Sequence, residues 1–319
     1  MLYDETMYNY TAKGAILGGI NVSACIFGLY LSLIIIKVLY RTIKTNTFAL
    51  MVIQQTLANS LFSINFGLFY LLVVVLNFQP LLYYIVIPGA ITVYAKHVNV
   101  ALKFCMSVNR LLAMAFPLFY MSKLGKFGIP AGFISWTLPV FPICYYNIFR
   151  KCQYMYFEHG WFWSATALPE SCGPSFQLYI YRVQLYAFEI ISIFNVLTFC
   201  FIVKYYSSRN PTSNASASAR KSEISMAWQT IFDGLILAGE TGLFTYMGQL
   251  LAMSDDLLPA DWFIFLGASF SLVLVVILDS TVVFIMNPVL KEWAGKYLIK
   301  LRCCKKNNRV NLVVGGTIT

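Results

Sequence analysis

Residues 83–115 read YYIVIPGAITVYAKHVNVALKFCMSVNRLLAMA, and this run decides the fold. It is longer than the roughly 20 residues that a helix needs to cross a bilayer core of about 30 Å. It carries Lys96, Lys103 and Arg110, each seven residues from the next. Seven residues make about two helical turns, so the three cations form one stripe on one face. A cation inside a bilayer is costly unless it faces other protein or a polar cavity. The run is therefore a membrane helix whose charged face is covered by neighbouring helices.

The rest of the chain supplies those neighbours. Of its 319 residues, 59% are hydrophobic and 11% charged, with a mean hydropathy of +0.69. A soluble domain carries about a quarter of its residues charged, so there is too little polar surface here to face water. Apolar runs recur at about 14–39, 48–76, 83–115, 128–149, 178–205, 223–252 and 262–287. They lack the two-residue alternation of a barrel strand, and only helices or closed barrels satisfy their backbone in lipid. The expected fold class is an all-α membrane protein, a seven-transmembrane helix bundle with a short amphipathic helix eight. Pro139 and Pro142 kink the fourth span without abolishing it.

Charge orients the bundle. With the N-terminus outside, the inner loops and tail hold seventeen of the Lys and Arg residues, among them Lys37, Arg41, Lys44, Lys123, Lys126, Lys204, Arg220 and Lys221. The outer side holds Lys13, Arg150, Lys151 and Arg182. Acidic residues lie mainly outside, at Asp4, Glu5, Glu158, Glu170, Asp255, Asp256 and Asp261. Basic residues collect in cytoplasmic loops, so the net charge of +10 reflects orientation, and no nucleic-acid partner is expected. No short apolar core with a cleavage site precedes residue 14, and the first span is expected to serve as signal anchor.

The boundaries follow. Residues 1–13 form an extracellular N-terminus, 14–288 the bundle, 289–302 an amphipathic membrane-surface helix and 303–319 a cytoplasmic tail. In the surface helix Leu290, Trp293, Ala294, Tyr297, Leu298 and Leu301 recur at helical spacing among Lys291, Glu292, Lys296 and Lys300, the pattern of a helix lying on the inner leaflet. Cys303 and Cys304, followed by Lys305 and Lys306, are palmitoylation candidates beside that leaflet; a pair of free thiols is the alternative. Asn9-Tyr10-Thr11 is an N-glycosylation sequon on the outer terminus. Residues 207–225, rich in Ser and Asn, read either as a solvated linker or as a partner-binding inner loop.

The third span ends in Ser107-Val108-Asn109-Arg110-Leu111-Leu112, with Phe116-Pro117-Leu118 downstream. This resembles the Asp-Arg-Tyr motif of rhodopsin-like receptors, with Asn for Asp and Leu for Tyr. Leu57-Ala58-Asn59-Ser60 resembles their second helix, with Asn59 where they place an aspartate. Trp136 fits their fourth helix. Asn287-Pro288 resembles their Asn-Pro-x-x-Tyr motif but lacks the tyrosine and comes late; Asp279-Ser280 is the alternative at that depth. With the outer-loop cysteines and with Gln229 and Asp233 in the sixth span, the mix is most similar to nematode serpentine chemoreceptors of class X.

That resemblance implies a sensory receptor for small environmental molecules, coupled to a heterotrimeric G protein. It sits in the plasma membrane, with the sensory cilium as a candidate site. Asn109, Arg110 and Pro117 would then form the coupling end. Replacing the aspartate by Asn109 removes a carboxylate that restrains the arginine, so a weakly restrained inactive state is expected. The chain departs from rhodopsin-like receptors in lacking a cysteine near Ile85. Cys152 and Cys172 share one outer loop in an oxidising compartment instead, and an intraloop disulfide is expected between them.

The ionisable residues inside the spans remain. Helix six carries Asp233 and Glu240, seven apart on one face. By depth, Lys103 lies level with Asp233 and Asp279, while Lys96 and His97 lie nearer Glu240 and Glu189. Lys96, His97, Glu189 and Glu240 are ligand-cavity candidates; Lys103, Asp233, Asp279, Asn59, Asn287 and Pro288 are switch or ion-pair candidates. Simple structural ion pairing stays open for both layers. Intramembrane charges also serve ion coupling, so a secondary transporter is the rival function, although no internal repeat is evident. The chain has neither an HExxH nor a matched Ser-His or Cys-His set, so an enzyme, a metal and a cofactor are not expected.

Overall fold

The computed structural model describes residues 12–43, 47–78, 80, 84–116, 119–120, 127–152, 154–157, 162–165, 173–207, 224–225, 228–243 and 264–297. Among them, seven helices and a short terminal helix follow in order. Helix α1 is Ala12–Leu39, closed by a tight turn at Tyr40–Thr42. Helix α2 is Thr47–Phe69, continued by a π-helical turn at Tyr70–Val75, and α3 is Val86–Ala115. Helix α4 begins with Gly128–Thr137, is interrupted at Leu138 and Pro139, and resumes through Val140–Cys144 and a π-helical turn at Tyr145–Phe149. Proline lacks the N–H and its ring displaces the preceding turn, which accounts for the break.

A two-stranded antiparallel hairpin follows, β1 Tyr154–Phe157 paired with β2 Phe162–Ala165. Then come α5 Gly173–Ser207, α6 at 228–243, and α7, which opens with a π-helical stretch Phe265–Phe270 and runs through Ser271–Met286. Asn287 breaks the chain in extended conformation, and α8 covers 288–297. Among the described residues, six helices are long and apolar enough to cross a membrane, and α6 makes a seventh helix. The all-α bundle is thus present, with the small hairpin as an added element at one end. The termini, the 208–223 loop and the rest of the sixth span lie outside the described residues.

Two apolar clusters with a polar waist hold the bundle together. The cluster at the hairpin end joins Cys25 of α1, Phe62, Phe66, Phe69 and Tyr70 of α2, Val273 and Val276 of α7, and Tyr156 and Trp163 of the hairpin. The cluster at the opposite end joins Ile35 and Leu39 of α1, Met51 and Val52 of α2, Met106 of α3, Val283 of α7 and Leu290 of α8. Many large apolar side chains are exposed on the outside, including Phe133, Phe141, Ile193 and Val196. In a bilayer these face lipid tails as readily as they would a core. The chain is a multi-pass membrane protein.

The C-terminal ends of α2 and α4 stop at residues of positive φ, Asn77 at 54° and Lys151 at 53°. Beside them Phe78 donates its N–H to the Leu72 carbonyl and Cys152 to that of Tyr146, each at 2.8 Å. Left-handed residues at helix C-termini are a common way to satisfy the last carbonyls. The hairpin is seated on α3 at Gly89, where an added Cβ would overlap the carbonyl of Tyr154. Trp163, 2% exposed, packs edge-on to Phe69 at 4.7 Å between ring centroids. Cys152 is disulfide-bonded and buried against Phe176 of α5; its expected partner Cys172 lies outside the described residues.

Candidate functional site

The polar waist lies where the sequence stripe of α3 meets α2, α6 and α7. Helix α6 turns Gln229, Asp233, Leu237 and Glu240 inward, a spacing of three to four residues that keeps one face buried. Lys96 of α3 makes an ion pair with Glu240 of α6. One two-turn step along α3, the ammonium of Lys103 donates to Oδ1 of Asp279 on α7 at 2.8 Å. The Asn99 amide donates to Oδ2 of the same carboxylate at 3.3 Å and also to Oδ1 of Asn59 on α2. Asp279 is fully buried and Lys103 nearly so. Each charge is thus met by the other, and Asp279 also accepts from the Asn99 amide, with Asp233 and Lys96 close enough to act on the pair; a buried pair needs such added bonds to offset its desolvation.

Between the two layers lies a cavity of about 20 Å³, lined by Asn59, Phe62, Lys96, Asn99, Gln184 and Glu240 among others. That is room for about one water. Both members of the Lys96–Glu240 pair line it.

Several expected residues are placed differently. Glu189 is exposed on α5 and does not line the cavity; Gln184 does. The inward stripe of α5 is Gln184, Ile191, Asn195, Thr198 and Ile202. Glu189, two residues before Ile191, points about 200° away from it. His97 is buried but turns from the cavity: its Nδ1 bonds the Val93 carbonyl at 2.8 Å and its ring stacks on Tyr179 at 5.4 Å. Lys103 bonds Asp279 and not Asp233. Asp233 is buried near both, with neither oxygen hydrogen-bonded among the described residues. Asn287 and Pro288 lie below the charge layers and open α8. The Asn287 side chain accepts the Val289 N–H at 3.0 Å as an N-cap, with proline at the first helical position.

The inner end of the stripe has its own geometry. Arg110 is buried, its guanidinium 3.7 Å above the ring centre of Phe48 on α2, a cation–π contact. The Tyr120 hydroxyl donates to Oδ1 of Asn109 at 2.8 Å, so the residue in the carboxylate's place is held by the segment that joins α3 to α4. Pro117 lies outside the described residues, as do Asn9, Cys303 and Cys304.

One connection escaped the sequence reading. The Ser107 hydroxyl donates to Oδ1 of Asn195 on α5 at 3.1 Å, and the Asn195 amide donates to the Thr230 carbonyl of α6 at 2.9 Å. This chain ties α3, α5 and α6 together half a turn to one turn from Arg110. The signal was present in Asn195, an amide on the same face as Gln184 within an apolar run. Lower still, the Ser225 hydroxyl donates to the Met286 carbonyl at 2.5 Å and ties the start of α6 to the end of α7.

Among the described residues, seven helices pack around a charged waist and an arginine stands at the end of the third, the architecture expected of a serpentine membrane protein. Residues 22–287 match the serpentine type 7TM GPCR chemoreceptor Srx family, and the chain belongs to it. It is 26% identical over 294 residues to serpentine receptor class X-43 of Caenorhabditis elegans, spanning 92% of this chain and 90% of that protein. The family is one of receptors and not of enzymes, and membership sets the transporter aside.

Proposed function

We propose that this receptor binds small environmental molecules in the α3–α6 cavity and activates a heterotrimeric G protein by movement of helices α3, α6 and α7. In this reading the N-terminus is outside and the tail lies in the cytoplasm of the plasma membrane. The supporting observation is the Lys96–Glu240 pair, which at once lines the cavity and joins α3 to α6. A ligand larger than water must open that contact to enter. Occupancy and the position of α6 then share one free energy, which is what coupling requires.

Lys103–Asp279 is the second tie, holding α3 to α7. The Ser107–Asn195–Thr230 chain carries displacement of α6 to the segment next to Arg110. Asn109 and Arg110 are the coupling residues, released when Tyr120 and Phe48 let go. The test is G-protein activation by energy transfer in cells given small-molecule extracts, comparing wild type with Arg110→Ala. A response lost in the variant at equal surface expression supports the reading. Silence across all G-protein classes in a well-expressed receptor overturns it.

A further inference from the structure

A second concavity lies at the other side of the bundle, where the end of α1 meets α8. It measures about 340 Å³ and is lined by Lys37, Val38, Arg41, Thr42, Val289, Glu292, Trp293 and Lys296. We propose that this groove binds one anionic glycerophospholipid of the inner leaflet, with the headgroup phosphate between Lys37 and Arg41 and an acyl chain along α1. The inner leaflet follows from the orientation proposed above; the binding itself requires only that the chain crosses a membrane.

Charge supports an anion here. Lys37 and Arg41 are four residues apart and exposed, so both project from one face of the helix end. Among the described residues neither has a carboxylate partner. Glu292, the acid of the groove, is engaged with Lys296 at 2.6 Å, and that ammonium holds its carboxyl below the ordinary range. It therefore stays ionised and cancels Lys296, leaving two cations uncompensated among the described residues. Basic pockets of this kind on the cytoplasmic side of membrane helices suit lipid headgroups.

The apolar walls support a lipid over a free ion. Val38 and Val289 line the groove, and Trp293 stacks on Tyr297 at 5.4 Å at its edge, an aromatic pair suited to the interface. Above Lys37, at helical spacing on the same side, stand Leu33, Tyr30 and Ile26, exposed by 65%, 61% and 61%. They give an acyl chain a continuous apolar track leading up from the headgroup site. A soluble phosphate compound would leave that track unused.

The experiment is native mass spectrometry of the purified full-length receptor, exchanged into mixed micelles of equimolar phosphatidylserine and phosphatidylcholine. Wild type should retain one phosphatidylserine in clear preference. Lys37→Gln/Arg41→Gln should lower that preference by roughly 25- to 30-fold, the effect of two interfacial cations. Glu292→Gln should raise it, because Lys296 then joins the groove; this variant decides the matter if the double variant does not fold. Equal retention of the two lipids by wild type, or a preference unchanged in the variants, overturns the proposal. So does full displacement of the lipid by millimolar inorganic phosphate, which would make the site one for phosphate alone. None of these readouts involves a ligand or a G protein, so they stand apart from the receptor test.

Discussion

Lys103 offers the sharpest test of the waist. Its ammonium sits 2.8 Å from Asp279 with both side chains buried. Lys103→Met keeps the length of the side chain and removes the charge, leaving the Asp279 carboxylate, among the described residues, with the Asn99 amide as its hydrogen-bond partner. Truncating one member of a buried pair costs about 3–5 kcal/mol. At about 1.4 kcal/mol per tenfold, even the lower figure shifts the folding equilibrium by more than a hundredfold. The variant should lose most of its monodisperse peak in thermal-challenge size-exclusion chromatography of detergent-solubilised receptor. Lys103→Met/Asp279→Leu should recover much of it, because an apolar pair of similar volume is often as stable as the ion pair it replaces. Charge exchange discriminates between partners. Lys103→Asp with Asp279→Lys should rescue better than Lys103→Asp with Asp233→Lys, since Asp233 does not bond Lys103. Rescue through Asp233 and none through Asp279 would refute the assignment.

Two further outcomes follow from other contacts. Glu240→Gln or Lys96→Gln weakens the α3–α6 tie, and a coupling of about 1–3 kcal/mol predicts a fivefold or greater rise in the active-to-inactive ratio; unchanged ligand-free G-protein signalling at matched surface levels would count against it. Gly89→Ala places a methyl against the Tyr154 carbonyl and should cost about 1–3 kcal/mol as overpacking, read as a lower inactivation temperature. A variant as stable as wild type would show that the hairpin is not anchored there.

Much of this architecture is legible in the sequence because bilayer physics acts locally. The length of each apolar run fixes a span, and the placement of Lys and Arg sets the expected orientation, without knowledge of any contact. The α3 stripe is also local: seven residues are about two turns, so Lys96, Lys103 and Arg110 share a face in any helix. Asn287-Pro288, read from the sequence as a switch candidate, proves instead to be the N-cap and first-turn proline of α8, a role the pair shows only in the structure.

What the sequence could not decide is which face meets which. Depth alone puts Asp233 and Asp279 equally near Lys103, and Glu189 near Lys96; rotation of α5, α6 and α7 about their own axes settled each choice. Asp279 faces α3 and takes the lysine, while Glu189 turns outward because Gln184, Ile191 and Asn195 claim the inner side of α5. The groove beneath α1 depends likewise on α8 folding back beside Lys37 and Arg41, from 250 residues further along the chain. Periodicity gives each helix a stripe, but the azimuth of that stripe in the bundle is set by packing between segments far apart in sequence. Only the tertiary structure carries that information.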